Sequence, residues 1–145
     1  MFLLFSSCGY EAMHSKRNIV NYDFSIAKLT LTGDRDTNIK VKEKLNNYTL
    51  SKKDKNFIVK IKSTSEKVIL AKDIAGDPTS FRSTTIIFVE VLLKDNIKKT
   101  FEIKESFNYN NNSDNFSLKS YEREIKNNLA ESSTDKLIFK LSNIK

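Results

Sequence analysis

Hydrophobic positions along this chain change period several times, and each change marks an element. From Ile19 to Leu31 the apolar residues Tyr22, Phe24, Ile26, Leu29 and Leu31 recur at near-alternate positions, with Asp23, Ser25 and Lys28 among the residues on the wetter side. A period of two predicts a strand, and the slip in phase near Ala27 predicts a bulge. Gly33-Asp34 stops it. From Arg35 the spacing becomes helical: Val41, Leu45 and Tyr48 advance by four and then three residues, with Ile39 nearby and Lys40, Lys42, Glu43 and Lys44 on the rest of the surface. Asp34, Asp36 and Thr37 are the candidate caps for its start, and Asn46-Asn47 with Ser51 to Lys55 are expected to end it.

Three strands are expected next. Phe57, Val59 and Ile61 alternate with Ile58, Lys60 and Lys62, and the pattern resumes at Val68 to Ala71 after the polar Ser63-Thr64-Ser65-Glu66. Ala75-Gly76-Asp77-Pro78-Thr79 holds the only proline and reads as a turn. From Phe81 to Leu93 the odd positions form one face, while Ile86, Phe88 and Leu92 make the other face apolar too. This strand is therefore expected to be central and covered on both sides. After a turn at Lys94-Asp95-Asn96, Phe101, Ile103, Phe107 and Tyr109 alternate with Glu102 and Lys104, and Asn108 to Asn115 follow as a polar loop. Leu118, Tyr121, Ile125, Leu129, Ser133, Leu137, Leu141 and Ile144 then advance by three or four, a second helix that Ser132 to Asp135 are expected to interrupt. The order is β-α-β-β-β-α. It predicts an α+β fold, with both helices packed on one face of a mixed four-stranded sheet, a right-handed first crossover and the last three strands antiparallel.

Charge sharpens this picture. The net charge of +7 arises within residues 35–72, which hold eleven Lys or Arg against four acidic residues, while the rest of the chain balances. Such a local field suits an anionic partner, such as phosphorylated lipid, nucleic acid or an acidic protein surface; it equally suits a lysine-rich face kept for solubility. At 145 residues the chain is the size of one domain, and no run of 18 apolar residues occurs in it.

The one cysteine, Cys8, follows the apolar Met1 to Phe5 and two small residues, Ser6 and Ser7. That arrangement looks like a lipobox, where a peptidase needs small side chains before the cut and the freed Cys becomes a lipid-modified N-terminus. Residues 1–7 contain no Lys or Arg and are read as a truncated lipoprotein signal remnant. Residues 8–18 are then a lipidated tether and residues 19–145 a single α+β domain. Catalytic chemistry finds little footing. His14, the only histidine, lies in the tether, so neither a Ser-His-Asp nor a Cys-His pair can be placed on a scaffold. Two N/S ligands are too few for zinc, and the three glycines form no phosphate loop. No enzyme, metal or cofactor is expected.

Cys8-Gly9-Tyr10, Arg35-x-x-Asn38-Ile39 leading into a helix with Leu45, and Tyr121, Ile125, Asn128, Leu129 and Ala130 on the last helix, taken in this order, resemble the LPS-assembly lipoprotein LptE family in its small alphaproteobacterial form. Glu11-Ala12-Met13-His14 departs from the Pro-aliphatic-Tyr segment that many relatives carry there. The resemblance implies an outer-membrane lipoprotein, lipid-anchored through Cys8 on the periplasmic side of a Gram-negative envelope. It would sit inside an LptD-like β-barrel, help that barrel assemble, and assist lipopolysaccharide transfer. Lys52, Lys53, Lys55, Lys60 and Lys62 are then the candidate contacts for lipopolysaccharide phosphates. Two other readings stand beside it: a generic envelope lipoprotein adaptor, and a basic RNA-binding module. The second is disfavoured because no Lys/Arg-Gly-Phe run occurs and Phe101, Phe107 and Tyr109 belong to the face that the helices should cover.

Overall fold

The structure is a computed structural model and describes residues 21–93 and 97–145. Its elements are β1 (Ser25–Gly33), α1 (Arg35–Leu50), β2 (Asn56–Lys72), β3 (Pro78–Leu93), β4 (Ile97–Asn110) and α2 (Asn115–Ser142). The sheet order is β1-β2-β3-β4, with β1 parallel to β2 and the remaining neighbours antiparallel. Both helices pack against the sheet and each other, which is the α+β arrangement expected from the pattern. The anticipated bulge falls between Ile26 and Lys28.

A tight corner joins β1 to α1. Gly33 has φ of 97°, and a Cβ there would sit 2.0 Å from the Ser63 carbonyl oxygen, so only glycine lets the chain turn against β2. Of the candidate caps, Asp34 serves: its carboxylate accepts from the Thr37 backbone N–H (2.9 Å) and the Thr37 hydroxyl (2.7 Å). The apolar stripe Val41, Leu45 and Tyr48 then drops into the core, where Tyr48 stacks on Phe24 at 4.3 Å between ring centroids.

Strand β2 is one element of 17 residues, as the expected element order requires, carried through the polar stretch at 63–66 by antiparallel pairing with β3. Three expectations need correcting. Helix α1 continues through Asn46-Asn47 to Leu50, because burial of Leu45 and Tyr48 outweighs the weak helix propensity of asparagine. Helix α2 runs unbroken for 28 residues, since the Thr134 hydroxyl bonds back to the Ala130 carbonyl (2.7 Å) while Ser133 and Thr134 are both fully buried. Finally, β3 is central but not covered twice. Ile87, Val89 and Val91 are buried beneath the helices, whereas Phe88 on the opposite face is 43% exposed, because both helices lie on one side of the sheet. The proposed tether, and the turn at 94–96, lie outside the described residues.

Candidate functional site

The uncovered face of the sheet is built by the even-numbered residues of β2, β3 and β4. Register sets Thr30 of β1 beside Lys60 and Thr32 beside Lys62; across β2, Lys60 faces Glu90 and Lys62 faces Phe88; across β3, Glu90 faces Thr100 and Phe88 faces Glu102. Together they line a shallow, open groove of about 520 Å³. Its floor is the Phe88 ring and the methyls of the threonines, and its charges are two lysines and two glutamates.

The charges are not equivalent. Glu90 is held from two sides, by Lys98 at 3.2 Å and by Lys60 at 4.0 Å. Lys62 forms no ion pair among the described residues, so its ammonium stays available beside the aromatic ring. An uncompensated ammonium next to an apolar floor suits an amphiphile with an anionic head.

The five lysines singled out from sequence do not form one cluster. Lys60 and Lys62 are on the groove. Lys52, Lys53 and Lys55 lie in the α1–β2 loop, and two of them help tie elements together. The Lys53 backbone N–H donates to the Ser25 hydroxyl (2.9 Å), with its ammonium 3.7 Å from Asp23, and the Lys55 ammonium donates to the Ser142 carbonyl at the end of α2 (3.2 Å). Thr30, Thr32, Phe88, Glu90 and Glu102 were missed as groove residues. The one signal for them in the sequence is the second apolar face of β3, which an open groove and a covering layer explain equally well.

Two further charged constellations lie away from the groove. At the start of α1, Lys126 of α2 meets Asp34 (2.8 Å) and Asp36 (3.3 Å). Burial raises the Asp34 pKa, but the hydrogen bonds from Lys126 and Thr37 outweigh it and hold the carboxyl below its ordinary value. Burial lowers the Lys126 pKa, and the two aspartates outweigh that and raise it. Between β4 and α2, the Tyr109 hydroxyl donates to Glu122 (2.7 Å), which also meets Lys67 of β2. Burial and then the Glu122 carboxylate push the Tyr109 pKa up. Burial raises Glu122, while the bonds from Lys67 and Tyr109 bring it below the ordinary range. Both sets hold α2 in place. No group of three or more metal-ligating side chains occurs among the described residues, and no helix there is long and apolar enough to cross a membrane.

These elements define a two-layer α+β domain with one open sheet face. It is the LptE-like fold, and solved lipoproteins share it. The chain is similar to rare lipoprotein B from Shewanella oneidensis, with a TM-score of 0.62 and 15% identity over 79% of this chain and 93% of that one. The minor lipoprotein from Acinetobacter baumannii gives a TM-score of 0.60 and 12% identity over 82% of this chain and 92% of that one. Lipoprotein B from Nitrosomonas europaea gives 0.58 and 12% over 82% and 83%. No family model matches the sequence, and no curated protein does. At these identities the likeness is one of fold.

Proposed function

We propose that this chain is an envelope lipoprotein of the LptE kind, acylated at Cys8 and anchored to the periplasmic side of the outer membrane. There it occupies an LptD-like barrel and contacts lipopolysaccharide without catalysing a reaction. One observation carries the reading. A fold shared over about four fifths of the chain with solved lipoproteins is preceded in sequence by the lipobox-like Ser6-Ser7-Cys8. The groove supplies the ligand contact: Lys62 and Lys60 meet lipid A phosphates as mobile point charges, and Phe88 meets the acyl region. Among the described residues Phe88 is the exposed ring in the groove, and its cross-strand partners there are Lys62 and Glu102 rather than a second ring, which favours this over RNA binding, where bases stack on paired aromatics.

Mass spectrometry of the protein produced in an envelope-bearing host with a full leader should find acyl chains on Cys8, and co-purification should bring down a large outer-membrane barrel. An unmodified thiol with no barrel sinks the proposal. The double variant Lys60→Glu/Lys62→Glu should weaken lipopolysaccharide binding, with a reduced dependence on salt. Unchanged binding would remove the groove from the reading and leave the anchor standing.

A further inference from the structure

Strand register lays the open face out in rows that run across the sheet. In one row Thr30, Lys60, Glu90 and Thr100 stand side by side, and its charges are satisfied, since Lys60 and Lys98 both reach Glu90. The next row is Thr32, Lys62, Phe88 and Glu102. Here neither charge is satisfied. Lys62 and Glu102 are both exposed, and neither side chain forms an ion pair or hydrogen bond among the described residues. Lys104, the next residue of β4 on this face, does not pair with Glu102 either. Neighbouring strands lie about 4.8 Å apart, so the backbones at Lys62 and Glu102 are about 10 Å apart, with the Phe88 ring, 43% exposed, between them.

We propose that this row selects the phosphoethanolamine headgroup of a glycerophospholipid. The phosphate sits on the Lys62 ammonium, the primary ammonium on the Glu102 carboxylate, and the two methylenes that join them lie over the Phe88 ring. A plain phosphate gains from Lys62 but meets a like charge at Glu102, and a plain cation meets the reverse. A zwitterion satisfies both, and its ammonium gains again near the ring face. A trimethylated head carries no N–H for Glu102 to accept, so a choline lipid fits less well. Ile86, half-buried and next on β3 on the same face, extends the apolar floor for the glyceryl and acyl carbons. The inference rests on the groove being the lipid contact proposed above and adds to it the choice of headgroup.

Co-sedimentation of the full, unacylated chain with vesicles tests it. The vesicles are phosphatidylcholine alone, or phosphatidylcholine with added phosphatidylethanolamine or phosphatidylglycerol, and circular dichroism confirms that each variant is folded. Phosphatidylethanolamine should raise binding above phosphatidylcholine alone, and Glu102→Gln should lower that gain by about fivefold. The same variant should leave binding to phosphatidylglycerol equal or stronger, because it removes a negative charge. An anion-only groove gives the opposite sign on phosphatidylethanolamine. If Glu102→Gln brings no loss there while Lys60→Glu/Lys62→Glu still weakens lipopolysaccharide binding, headgroup selection is overturned and the lipopolysaccharide reading stands. If neither variant changes any lipid binding, both fall.

Discussion

The sheet has two unlike halves. Near the strand ends that hold Phe57 and Leu93, four strands and both helices enclose a core of seventeen buried residues among those described, from Phe24 and Leu45 to Leu137 and Leu141. At the β2–β3 hairpin, β1 has ended and a second cluster consists of Phe81, Tyr109, Ile125 and Leu129. Polar residues separate them: Ser83 and Thr85 on β3, Glu105 on β4 and Ser133 on α2 all fall between the two apolar sets. The hydroxyls of Thr85 and Ser133 are buried there without a hydrogen-bond partner among the described residues. Apolar burial thus holds the near half, while the far half depends on a few rings and the Lys67–Glu122–Tyr109 chain. Lys67 adds to that chain by lying 4.1 Å above the Phe81 ring. The lesson is that a continuous sheet need not be uniformly stable.

The comparison can be broken hardest in the near half. Leu137→Ala, at a fully buried position, should cost about 2–5 kcal/mol and lower the urea midpoint for the whole domain. Ile125→Ala should instead release amide exchange in residues 66–82 first, leaving α1 protected. A uniform loss of protection would show that the halves unfold as one.

Acid and alkali sharpen it further. Asp34 and Glu122 titrate below their ordinary values in the folded chain, so their contribution is present above pH about 4 and is lost as pH falls through the depressed folded values. Tyr109 and Lys126 titrate above theirs, so their contribution is complete below pH about 10 and is lost as pH rises through the elevated values. Glu122→Gln should flatten the acid limb at the hairpin and only reduce the alkaline one, since burial, the larger cause of the raised Tyr109 value, remains; amide exchange reads both, and the near half should be unchanged. The smallest effect belongs to Lys62→Ala. With no ion pair to lose, it should move stability by no more than about 0.5 kcal/mol, as a thermal melt would show.

Element order and type were legible because alternation and helical spacing are written in residues such as Phe57-Val59-Ile61 and Val41-Leu45-Tyr48. The misreadings share one cause, which is that tertiary context overrules local preference. Ser133 and Thr134 look like a helix breaker until both are buried and the Thr134 hydroxyl finds the Ala130 carbonyl. Ile86, Phe88 and Leu92 look like the second side of a sandwich until both helices settle on the other face. The period of two also placed Lys60 and Lys62 together on the wet side of β2. It could not show that Lys53 and Lys55 help tie β1 and α2, because those contacts join residues 28 and 87 positions apart.

The asparagine-rich connection after β4 has a mechanical consequence. Asn111 clasps the base of the hairpin, its backbone N–H donating to the Thr79 carbonyl (2.9 Å) and its side-chain amide to that of Pro78 (2.8 Å). Three residues on, Asp114 caps α2 by accepting from the Phe116 N–H (3.1 Å). A pull on the turn at 73–77, whose Ile74 side chain stands fully in solvent, is therefore delivered through a short strut to the first turn of the longest helix.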